Sequence, residues 1–139
     1  GPYELISVVD ENEDANPFSI RGKFIDLFDP EIPVLTEKVV GAGEQAFLYN
    51  ISSVKNPTKP QVLATAGRVY DEKFNMNEYS FIVKSPLNTT NVMRVLLPSQ
   101  PKSIKVSTQY KTTWDEPSKT CFLSFENNPE GVQVRFLLK

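Results

Sequence analysis

The stretch Tyr79–Pro98, YSFIVKSPLNTTNVMRVLLP, constrains the fold more than any other part of this chain. Tyr79, Phe81 and Val83 alternate with Ser80, Ile82 and Lys84, the period-two pattern of a strand with two unlike faces. Pro86 ends the run, because proline cannot donate to a sheet ladder. Leu87-Asn88-Thr89-Thr90-Asn91 supplies turn chemistry, and a second alternating run places Met93, Val95 and Leu97 on one side before Pro98 closes it. Two alternating runs joined by a short polar link predict a β-hairpin and fix the class as β.

The rest of the chain follows the same rhythm. Tyr3–Val9 is apolar and β-prone, and Asp10-Glu11-Asn12-Glu13-Asp14 is an acidic loop. Its Asp10-x-Asn12-x-Asp14 spacing opens like a calcium loop, but Ala15 replaces the turn glycine and Arg21 the closing glutamate. Phe18–Phe28 predicts a strand with a bulge at Gly22. Val34–Val40 and Gln45–Ile51 predict two more strands, after the proline-bracketed turn Asp29–Pro33 and the Gly41–Gly43 turn. Gln61–Tyr70 is alanine-rich but short, contains Gly67 and predicts one strand rather than a helix. Asp71–Glu78 predicts a loop or one helical turn. Lys102–Tyr110, Thr120–Phe125 and Val132–Leu138 complete the set. The expectation is an all-β chain: residues 1–17 as a tag scar (Gly1-Pro2), edge strand and acidic loop, and residues 18–139 as a single antiparallel β-sandwich of about nine short strands.

Composition removes several functions. With 139 residues the core is large enough to stand without staples. A net charge of −2 opposes a phosphate-backbone binder, so no nucleic-acid partner is expected. No apolar run approaches the roughly 20 residues that span a bilayer, so no membrane partner is expected either. The chain has no histidine, which removes Ser-His-Asp and Cys-His catalysis and any histidine-ligated zinc. Cys121 stands alone inside CFLSF and reads as a small buried hydrophobe. The expectation is a non-enzyme without cofactor or metal. Asn50-Ile51-Ser52 and Asn88-Thr89-Thr90 match a glycosylation acceptor pattern that arises often by chance.

In the second half, Gln61–Tyr70 leads to YSF, MRVLLP and SIKV. A Trp114-Asp115 pair follows, then Ser118-Lys119-Thr120, a β run and Asn128-Pro129-Glu130-Gly131-Val132. This order resembles the β-sandwich accessory domains attached to bacterial glycoside hydrolases and related carbohydrate-active enzymes. The resemblance covers residues 18–139 in rhythm and includes no catalytic motif. It implies a non-catalytic carbohydrate-binding module, secreted or on the cell surface, with polysaccharide or oligosaccharide as ligand. Its alternative is a structural β-sandwich domain that packs against a neighbouring catalytic domain or a protein partner.

Sugar-binding modules set aromatic rings against sugar faces. Trp114, the sole tryptophan, and Tyr110, four residues earlier, are the first candidates. Each has a competing reading, Trp114 as a lid over the core and Tyr110 as a core tyrosine bonded through its hydroxyl. Tyr70 and Phe74 flank a polar stretch and come next. Arg68 and Arg94 fall at outward positions, where two guanidiniums on one sheet face would fork onto hydroxyl, uronate or sulfate groups. The competing reading has them merely solvate that face.

Overall fold

The computed structural model of the chain describes residues 3–7, 18–41, 45–53 and 59–139. Among them every regular element is a strand except a three-residue 3-10 turn at Ile51–Ser53. The acidic run at 10–14, with its calcium-like spacing, and most of the 41–43 turn lie outside the described residues. The chain divides into two compact units, residues 1–55 and 56–139. Among the described residues, twelve strands in three four-stranded antiparallel sheets replace the single sandwich of about nine strands expected from the sequence.

The N-terminal unit is one sheet built from β1 (Tyr3–Ser7), β2 (Phe18–Asp26), β3 (Val34–Val40) and β4 (Gln45–Asn50), in the order β1-β4-β2-β3. The bulge expected at Gly22 is present. The β2–β3 register shifts between Arg21 and Phe24, and Gly22 takes φ +155°. A Cβ there would lie 2.6 Å from the Phe24 ring, so only glycine lets that ring fold back over the bulge. Phe24, Val40 and Leu48 make a small buried cluster with Ile20 against it. Buried Asp26 is held by Lys38 Nζ at 2.9 Å and accepts the Phe28 amide, so its charge is paired rather than stranded.

The C-terminal unit holds β5 (Gln61–Thr65), β6 (Arg68–Asn75), β7 (Glu78–Lys84), β8 (Thr90–Leu96), β9 (Ser103–Val106), β10 (Tyr110–Asp115), β11 (Thr120–Glu126) and β12 (Val132–Leu137). They form two sheets, β10-β11-β8-β5 and β6-β7-β12-β9. One core joins the sheets. Tyr79, Phe81 and Val83 of β7 and Val132, Val134 and Phe136 of β12 meet Met93 and Val95 of β8 and Cys121, Leu123 and Phe125 of β11. Each such side chain contributes about 1.5–3 kcal/mol by leaving water.

The segment Tyr79–Pro98 is therefore not a hairpin. Its two runs belong to opposite sheets, β7 pairing with β6 and β12, and β8 with β11 and β5. Both runs carry an apolar stripe, and the stripes face each other across the core instead of pairing edge to edge. The link between them is an arch: Thr89 Oγ1 donates to Pro86 O at 2.6 Å, and Asn127 donates through its backbone and side chain to Thr89.

The same sheet-switching divides two other stretches expected to be single strands. Gln61–Tyr70 breaks at Ala66-Gly67, where Gly67 N donates to Thr65 Oγ1 and Ala66 N to Asn91 Oδ1. The chain leaves β5 in one sheet and enters β6 in the other. Lys102–Tyr110 likewise splits into β9 and β10. Asp71–Glu78 is not a loop. A bulge between Tyr70 and Lys73, with Asp71 at φ 52°, absorbs the polar residues, and Met76-Asn77 closes a two-residue hairpin.

Candidate functional site

Tyr110, Thr112 and Trp114 share the core-facing side of edge strand β10, opposite Phe125, Leu123 and Cys121 of β11. They do not form one platform. Four residues of strand separate Tyr110 from Trp114 by about 13 Å, so each ring stands at its own end. Trp114 is half-buried and packs on the core. Its Nε1–H donates to Glu116 Oε2 at 2.6 Å, within the turn Asp115–Lys119. Lys119 also bonds Glu116, and these two contacts, Lys119 first, hold the Glu116 carboxyl below its usual range. Ser118 ties the turn through Asp115 and Thr120. Trp114 thus acts as a tethered lid over one end of the core.

Tyr110 stands at the other end, beside the open 107–109 connection. Its ring is 38% exposed, and its hydroxyl donates to Ile104 O at 3.2 Å, bridging the two edge strands β9 and β10. The bridge fixes the ring angle while leaving one side open. Here an open cleft of about 980 Å³ is lined by Ser107, Thr108, Gln109, Lys111, Ser124 and Glu126 around Tyr110, with Val106 and Phe125 at its floor. Register puts Tyr110 and Phe125 on the core side of β10–β11 and Lys111, Ser124 and Glu126 on its outer side. The ring therefore offers an apolar face with the hydroxyl and amide groups of the 107–109 connection beside it, and the charged groups line the cleft from the other face.

The other expected residues do not converge. Arg68 lies on β6 and Arg94 on β8, in different sheets, so they do not share a face. Arg94 points to the outer side of its sheet yet is only 7% exposed, and its guanidinium sits 5.4 Å from the Phe122 ring centre. Burial pulls its pKa down, against the raising influence of Asp115 and Cys121. Tyr70 and Phe74 are exposed neighbours on β6, but the bulge between them turns them apart. Tyr70 is opposite Ile82 on the outer face, whereas Phe74 is opposite Tyr79 on the core side of the edge. Among the described residues no three of Cys, Asp and Glu converge as metal ligands.

Sequence reasoning missed an aromatic patch in the N-terminal unit. Phe47 stacks on Tyr3 at 5.7 Å and meets Phe28 at 5.9 Å, while Tyr3, Leu5 and Phe28 are all more than half exposed. The alternation in β1 and β4 carried the signal: Leu5 and Phe47 are directly opposite, as are Tyr3 and Tyr49. Two strands distant in sequence had to be paired first. No protein-family model matches the chain, and no curated protein or solved structure was found similar to it.

Proposed function

We propose that this chain is a non-catalytic carbohydrate-binding module that takes a polysaccharide or oligosaccharide in the cleft at Tyr110. The carrying observation is the half-exposed Tyr110 ring, pinned through its hydroxyl in a cleft lined by Ser107, Thr108 and Gln109 and, from the other face of the strand pair, by Lys111, Ser124 and Glu126. A ring held at a set angle loses little freedom when a sugar stacks on it, so the contact retains most of its gain. The likeness in rhythm to accessory domains of carbohydrate-active enzymes supports the same reading and a secreted or cell-surface place. Trp114 is not part of this site, because its indole N–H and one face are already engaged.

Affinity electrophoresis of the whole chain in gels containing neutral plant, fungal and bacterial polysaccharides tests the reading. Retardation by at least one of them, weakened in Tyr110→Ala by about 1–3 kcal/mol and unchanged in Trp114→Phe, is the expected result. Retardation by none, or equal retardation of wild type and Tyr110→Ala, overturns it.

A second reading rests on the exposed Tyr3, Leu5 and Phe28 around the half-buried Phe47: a scaffold that docks this face on another protein surface. Contiguous exposed apolar groups of this kind mark interaction sites. Loss of a co-purifying parent domain on Phe28→Ser, with no sugar retarded, favours that reading over the cleft.

A further inference from the structure

The outer face of the sheet β6-β7-β12-β9 carries a ladder of cations that follows from register alone. Lys73 is opposite Ser80, Ser80 opposite Arg135, and Arg135 opposite Lys105, so one row crosses all four strands. At about 4.8 Å per strand the row is roughly 14 Å long. A second row places Arg68 opposite Lys84. Between the rows lie Tyr70, Ile82 and Gln133. All five cations are exposed. Glu78 lies on this face 3.0 Å from Arg135, the exposed acids Asp71 and Glu72 sit in the bulge between Tyr70 and Lys73, and Lys84 Nζ sits 5.2 Å over the Tyr70 ring. Among the described residues Arg68, Lys73 and Lys105 make no ion pair.

Two of these cross-strand pairs, Arg68–Lys84 and Arg135–Lys105, set like charges directly opposite, an arrangement that weakens a sheet. The surrounding composition does not force it, since the whole chain has two more acids than bases. The excess of base is local: residues 56–139 hold eleven lysines and arginines against seven acids. Repulsion concentrated on one flat face is relieved by an anion that bridges the rows. The Arg68–Lys84 row also borders a shallow, open recess of about 480 Å³ with Gly67, Ser85 and Pro129.

We propose that this face binds a linear acidic polysaccharide, with its carboxylate or sulfate groups on the two cation rows and its sugar rings over Ile82 and Gln133, beside the Tyr70 ring that Lys84 covers. Nucleic acid fits less well, because a single strand calls for stacking platforms and the exposed Tyr70 ring lies under Lys84. A polysaccharide needs only spaced anions with room for its rings between them, which the two rows and the Ile82–Gln133 strip supply. The site is separate from the Tyr110 cleft and stands or falls apart from it.

The test uses the full chain in affinity electrophoresis against dextran sulfate, polygalacturonate and unsubstituted dextran, with duplex DNA as competitor. Retardation by at least one acidic polymer and not by unsubstituted dextran is expected. Lys105→Gln/Arg135→Gln should weaken it tenfold or more. Lys119→Gln, in the Trp114 turn and matched in charge to the single variant Lys105→Gln, and the cleft variant Tyr110→Ala should leave it unchanged. Because Lys105→Gln removes a repulsive pair, that single variant should also raise the melting temperature, which separates lost binding from lost folding. Failure of both acidic polymers to retard the chain overturns the proposal. So does equal weakening by Lys119→Gln, or DNA that competes at lower charge concentration than either polysaccharide.

Discussion

Phe136 has no exposed surface and stacks on Tyr79 at 6.2 Å while meeting Phe81 at 6.1 Å. Phe136→Ala leaves a ring-sized void at the centre of this trio, and a loss of about 3–5 kcal/mol in chemical denaturation is expected. Two other buried groups set the alkaline limit. Burial raises the Cys121 thiol above its ordinary 9.0, opposed by the Thr112 hydrogen bond and Arg94. Burial, then the Glu72 carboxylate that accepts the Tyr79 hydroxyl at 3.0 Å, pushes the Tyr79 phenol far above its ordinary 10.0. In both cases the folded state keeps a proton that the unfolded state gives up. The stability from these groups is complete below pH 9 and falls as pH climbs past 9 and then 10. Melting temperatures from pH 7 to 11 should decline along this course, and Cys121→Ala/Tyr79→Phe should flatten it. Cys121 as a buried small hydrophobe was legible from its apolar neighbours in CFLSF. The near-complete burial of Arg94 was not, because alternation assigns a residue to a face without saying what lies over that face.

Strands themselves were readable from alternation, but their partners were not. Tyr79–Pro98 looked like a hairpin because period two reports that each run has an apolar side and says nothing about which run it bonds to. The arch at Pro86–Thr89 and the sheet switches at Ala66-Gly67 and after Val106 rest on side-chain hydrogen bonds and on core stripes that meet across two layers. The bulge at Gly22 was readable because a glycine in a strand has a local cause. Of the candidate site, Tyr110 was accessible to sequence reasoning. The cation ladder needed the register of four strands, three of them not consecutive in sequence. The β6–β7 hairpin offers a test at this scale. Met76, 85% exposed at the first loop position, has φ 53°, a conformation that costs a residue with a Cβ roughly 1 kcal/mol. Met76→Gly should therefore stabilise the chain by about 0.5–1 kcal/mol, visible as a higher denaturation midpoint at unchanged slope. A lower midpoint would show that the methionine side chain contributes more than its backbone strain removes.

The larger of the two compact units draws its core cluster wholly from residues 62–138. A chain of residues 56–139 alone should therefore unfold in one cooperative transition, with a circular dichroism spectrum of β type. A featureless melt would show that the core does not close without the first 55 residues. The like-charged pairs Arg68–Lys84 and Arg135–Lys105 carry a consequence for the molecule in solution. Added salt shortens the reach of each charge, to about 10 Å at 0.1 M and about 3 Å at 1 M, so it relieves these contacts and raises the melting temperature. The same screening loosens any polyanion held on that face. Folding and the proposed polyanion binding should thus respond to ionic strength with opposite signs, and a dilute buffer is both where such binding would be tightest and where the sheet is weakest.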